Sequence, residues 1–203
     1  MGPQIDWIDN LGKQGYLSGQ LLLPMPGMTD PRFEGAVIYI CSHSEEGAMG
    51  LVINSPCENI NFPELLDQLD IDCDNNVTPD PQLKSIPLHE GGPVETGRGF
   101  ILHSADYVQG STLIISETIA LTATLDILSA IACSEGPEHY LIALGFSGWG
   151  RGQLENEIIR NSWLTIEADA ELVFKTDLEL KLPRALAKLG IDLSMLSSQF
   201  GNA

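Results

Sequence analysis

Positive charge is scarce in this sequence: Lys and Arg number 10 in 203 residues against 28 Asp and Glu, a formal net charge of −18. Between Arg98 and Arg151 neither Lys nor Arg occurs. Affinity for a duplex comes largely from cations that neutralise phosphates and release counterions, so this balance argues against direct nucleic-acid binding. An anionic membrane surface is disfavoured for the same reason. Long apolar runs are also missing, and no window reaches the roughly 18 consecutive apolar residues of a spanning helix. The opening MGPQIDWIDNLGK lacks the basic start and apolar centre of a secretory signal. Asp6 stands where myristoylation wants Ser or Thr. A cytoplasmic protein without a membrane partner is expected.

Cysteine pairs are absent as well. Cys41, Cys57, Cys73 and Cys133 are far apart, with no CxxC and no histidine placed to complete a zinc motif. Reduced thiols are expected, with neither metal nor cofactor.

The common catalytic signatures fail one by one. The run from Gly145 to Trp149 suggests a serine elbow, but that turn needs Gly-x-Ser-x-Gly, and Trp149 occupies the second glycine position. His43, His89, His103 and His139 all precede Ser147, so no base follows it in the elbow's chain order. The glycines Gly148, Gly150 and Gly152 match neither the dinucleotide fingerprint nor the Walker loop, and Glu155 and Glu157 early in the next helix oppose a phosphate there. Asp70, Asp72 and Asp74 alternate as in a calcium loop, yet Asn75 and Pro81 replace its required Gly and Glu. Catalysis is therefore not expected.

What the chain does contain is a 43% hydrophobic composition with no dividing linker, enough for one core. Apolar β-branched runs predict a strand in GYLSGQLLLPMPG and a hairpin in AVIYICSHSEEGAMGLVIN. A second hairpin is read in IPLHEGGPVETGRGFILHS, and further strands in STLIIS, HYLIALGF, WLTIEA and ELVFKT. Leu65, Leu66 and Leu69 share a face of a short helix with Pro63 in its first turn, and Leu125, Leu128, Ile131 and Ala132 mark another. A helix should follow the glycine turn of Gly148, Gly150 and Gly152, and PRALAKLGI should form the last, starting at Pro183 and ending at Gly190. Hairpins outnumber strand–helix–strand units, so the expected fold is α+β: one domain with a mostly antiparallel sheet flanked by helices.

Two groups retain a chemical claim. On an extended strand Cys41 and His43 share a face, where the imidazole would assist a thiolate. His89 and His103, closing the second hairpin, would approach Arg98, Glu90 and Glu95 as a ligand or metal set.

The blocks LLLPMPGMTDPRFEGAVIYICSHSEEGAMGLVIN, GGPVETGRGFILHS, LDILSAIACSEGP and GFSGWGRGQLENEI…NSWL, in this order, closely resemble the YqgE/AlgH family of small bacterial proteins. The resemblance spans residues 15–196, leaving tails at 1–14 and 197–203. It implies a bent, mixed but largely antiparallel sheet with helices around it. It implies no established activity; one member's name reflects a proposed role in regulating alginate synthesis. The family often carries alanine at the Ser147 position, which removes any general need for a nucleophile there. The leading expectation is a non-catalytic module that binds a protein or small-molecule partner, with an indirect regulatory role. Its surface would combine the segments 26–33, 91–98 and 148–153, with Arg32, Arg98, His103, Trp149 and Arg151 as binding residues. The rival is a thiol redox sensor or cysteine-dependent enzyme using Cys41 with His43.

Overall fold

Apolar runs broken by glycine and polar turns become strands of one sheet, which the short amphipathic stretches cover as helices. A computed structural model describes residues 17–26, 28, 30–71, 83 and 85–191. The Asp72 and Asp74 positions, Cys73 and both tails lie outside the described residues. The strands are β1 (Gln20–Pro24), β2 (Ile38–Ser44), β3 (Gly47–Val52), β4 (Leu88–Glu90), β5 (Val94–Ser104), β6 (Leu113–Ile114), β7 (Ile119–Thr122), β8 (Tyr140–Gly150) and β9 (Trp163–Glu167). The helices are α1 (Phe62–Gln68), α2 (Leu125–Ala132), α3 (Gln153–Ile159) and α4 (Leu178–Lys188).

The sheet runs β6-β7-β5-β8-β3-β2-β1-β9, every neighbour antiparallel, while β4 adds to β8 in parallel. It is an α+β fold with a largely antiparallel sheet. One face buries Leu21, Tyr39, Leu51, Leu102 and Ala143 with Ala185 and Leu186 of α4. The other packs Leu88, Ile101 and Ile142 against α1 and α2. A third cluster joins Ile38, Ile40, Ala48, Trp149 and Trp163 to Leu154 of α3.

Three expectations are corrected. The second hairpin does not form, because β8 lies between its two strands: β4 pairs with Ile142 to Leu144 on one side, and β5 pairs along β8 on the other. The connection at Gly91 and Gly92 must therefore cross β8. A Cβ on Gly92 would sit 2.2 Å from the Phe146 carbonyl carbon, and one on Gly145 2.5 Å from the Gly92 oxygen. Gly145 also has φ +72°, where side chains are strained. Bare backbone on both strands is what permits the crossing.

Second, ELVFKT is not a strand. Residues Glu171–Lys175 form a π-helical turn with Leu172 and Val173 buried. Its carbonyls find donors in side chains: Lys181 Nζ donates to the carbonyls of Leu172 and Val173, and Thr176 Oγ1 to that of Glu171. A short apolar run cannot by itself distinguish a strand from a buried helical turn. Third, α4 begins at Leu178 and carries Pro183 inside it. In addition, β8 extends through GFSGWG to Gly150, so Ser147 and Trp149 belong to a strand and the turn is confined to Arg151 and Gly152.

Candidate functional site

Cys41 and His43 do not act together. The ladder between β2 and β3 shifts register between Ile40 and Ser42, and a one-residue bulge exchanges the faces of every residue beyond it. Cys41 thus packs with Tyr39 and Met49 on the α4 side. His43, opposite Ala48, turns to the α3 side, where its Nε2 lies 3.2 Å from Glu155 Oε1. Cys41 is 2% exposed, and burial pushes its thiol well above the usual range, the reverse of what a reactive thiolate needs.

His89 and His103 also part company. His89 pairs with Ala143 and His103 with Tyr140, on opposite faces of the sheet. Among the described residues no group of three His, Cys, Asp or Glu is arranged to hold a metal. His103 is fully buried, its Nδ1 2.9 Å from the Ser104 carbonyl and its Nε2 2.9 Å from Thr122 Oγ1, which meets Thr112 Oγ1 at 2.8 Å. Burial lowers its pKa, and a carbonyl partner requires the proton on Nδ1. Thr122 then donates to Nε2, and Thr112 to Thr122. This is a directed structural chain.

His89 makes a measurable contribution to pH stability. Its Nδ1 lies 3.2 Å from the Ile142 carbonyl, and burial pushes the imidazole from 6.5 down to about 4. Between those values the unfolded chain binds a proton that the folded chain refuses. The associated stability is complete above pH 6.5 and is lost as pH falls through the window. Urea titrations at pH 7.5 and 4.5 should show wild type losing roughly 2–3 kcal/mol more than His89→Gln, from about 1.4 kcal/mol per unit.

The glycine-tryptophan motif builds a joint between β8 and α3. Trp149 and Trp163 both donate their indole N–H to Glu157 Oε2, at 2.9 and 2.8 Å. Gln153 Nε2 donates to Glu157 Oε1, while its Oε1 accepts the Gly150 N–H. Trp149 is buried, and its rings meet those of Trp163 edge to face. Arg151 projects from the following turn, 4.0 Å from Glu45. Spacing to Glu157 crosses a turn and a helix, which no single periodicity reveals.

A groove of about 490 Å³ does bring two of the three expected segments together. Arg32 and Phe33 come from the first, Gly92, Pro93 and Thr96 from the second. Val52, Ser55, Cys57, Asn59, Ile60, Glu90 and Leu144 complete the lining, and of these only Glu90 belongs to a set expected from the sequence, the one around His89 and His103. The crossing over β8 places the second segment here, and a register excursion between Val94 and Gly99 pushes Thr96 outward. Arg98 sits in that excursion, paired with Glu95 at 3.1 Å and stacked over Phe100. The third segment is elsewhere. Gly150 pairs with Gly47 at the far end of β3 from Val52, about 17 Å away at roughly 3.3 Å per residue.

The curled, mixed sheet with helices on its faces defines the class: an α+β protein whose chain crosses its own central strand to form a groove. More narrowly, the chain belongs to the AlgH-like family, whose model matches residues 21–194. It is 50% identical over 190 residues to a UPF0301 protein of Rhodospirillum rubrum, covering 94% of this chain and 96% of that one. A UPF0301 protein of Rhodopseudomonas palustris is 54% identical, over 93% and 87% of the two chains. The solution structure of the AlgH protein from Pseudomonas aeruginosa superposes with TM-score 0.75 at 43% identity, covering 95% and 98%. A crystal structure of a Corynebacterium diphtheriae protein shares the fold at TM-score 0.62 and 19% identity, over 88% and 91%. No helix among the described residues is long and apolar enough to cross a membrane.

Proposed function

We propose that this chain is a binding module without catalysis, and that its site is the groove between the Arg32 turn and the Gly92 to Thr96 crossing. One observation carries the reading: segments distant in sequence converge on a cavity of about 490 Å³, a size typical of ligand sites. The lining mixes apolar Phe33, Val52, Ile60, Pro93 and Leu144 with polar Ser55, Asn59, Thr96 and Glu90. Any regulatory effect is exerted through the groove's occupant.

Cys57 reports on the site, because it lines the groove and is partly exposed, whereas Cys133 is partly exposed outside it and Cys41 is buried. Candidate metabolites and peptides are screened by thermal shift against wild type and Thr96→Trp, which fills the groove from an exposed position. Compounds that stabilise only wild type should slow alkylation of Cys57 and leave Cys133 unchanged. Equal shifts in both proteins, or no compound that protects Cys57, would overturn the proposal.

A further inference from the structure

The three candidate arginines carry their own counter-ions, Arg32 in the groove, Arg98 on the crossing segment beside it and Arg151 away from it. Arg32 forks onto Asp30, with Nε 2.9 Å from Oδ1 and Nη2 2.6 Å from Oδ2. The pairing holds the Asp30 carboxyl below its ordinary range, so it stays ionised. Arg98 is paired with Glu95, and Arg151 faces Glu45. The cations therefore offer little to an anionic ligand. What is left over around the groove is negative: Glu90 in its lining, with exposed Glu34 and Glu58 on the lining segments. The whole chain adds its field of −18, which steers a polyvalent cation far more strongly than a single one.

We infer that the groove docks a basic segment of a partner protein, a peptide bearing Lys or Arg between apolar residues. This rests on the groove being the binding site. A cationic head would lie near Glu90, and a long aliphatic stem would cover Phe33, Ile60 and Leu144. Asp30 neutralises Arg32, so the guanidinium does not repel such a segment. A peptide occupant also suits a trough walled by several chain segments and open at its rim.

The experiment is fluorescence anisotropy with a labelled peptide alternating Lys and Leu, and an acidic counterpart alternating Glu and Leu, at low and physiological salt. The basic peptide should bind and the acidic one should not. Glu90→Gln should weaken binding about threefold to fivefold, the upper range for an exposed pair. Glu117→Gln, which removes an equal charge from the exposed turn between β6 and β7, should change it little. Arg32→Gln should strengthen binding by leaving Asp30 unneutralised. Equal weakening by the two Glu variants would reduce the effect to bulk charge and overturn the inference. Weakening by Arg32→Gln with binding of the acidic peptide would overturn its sign. Full displacement by spermidine at matched charge would assign the groove to a small polyamine instead. If no basic peptide binds while other compounds still protect Cys57, this inference fails and the binding-module reading stands; if nothing protects Cys57, both fail.

Discussion

Gly92→Ala should destabilise the protein by about 4 kcal/mol or more, because the new methyl meets backbone on a strand that cannot retreat. The Cβ would lie 2.2 Å from the Phe146 carbonyl carbon and 2.4 Å from the Ser147 nitrogen, inside the central strand of the sheet. Relief requires separating the crossing from β8, which breaks the bond from Gly91 N–H to the Leu144 carbonyl and that from Val52 N–H to the Gly91 carbonyl. At roughly 2–4 °C per kcal/mol for a chain of this size, the melting temperature should fall by about 10 °C or more. Gly97→Ala is the control: nothing lies within 4 Å of its added carbon, and the expected change is within about 1 kcal/mol. Calorimetry on the two variants decides it. Similar melting temperatures would mean that the crossing is looser than described.

The second large effect is at Glu157. Its Oε2 accepts from two indoles at once, and both Trp149 and Trp163 are under 5% exposed. Glu157→Ala strands both N–H groups and removes the anchor of Gln153. At about 1–3 kcal/mol for each unsatisfied buried donor, the loss should be about 4 kcal/mol. Glu157→Gln keeps an acceptor oxygen for the indoles and should cost less than half as much. Urea unfolding followed by tryptophan emission measures both, since these two residues are two of the chain's three tryptophans. An alanine variant within 1 kcal/mol of wild type would show that water replaces the carboxylate and that the joint is not a structural unit.

These two sites show why parts of the fold were legible and others were not. The β2–β3 hairpin follows from β-branched runs around a polar turn, and α1 from Pro63 in its first turn with Leu65, Leu66 and Leu69 on one face; the structure adds that Asn61 and Glu64 cap each other's backbone N–H. Local signals of this kind are complete within a few residues. The β4–β5 pair had the same local signature and did not form a hairpin, because β8, some fifty residues later, inserts between them. The bulge after Ile40 is equally silent in the sequence, yet it separates Cys41 from His43.

Composition and pattern by themselves determined the α+β class, the acidic character, the lack of a known catalytic signature and the family resemblance, because each depends on residue type or short-range spacing. They also marked the 26–33 and 91–98 segments. Tertiary structure decided which marked residues meet: it joined those two segments at a groove, sent Trp149 into the core, paired each candidate arginine with a carboxylate and buried Cys41. The physical reason is that strand order and register are set by long-range burial, whose energy is shared over the whole sheet and is written at no single position.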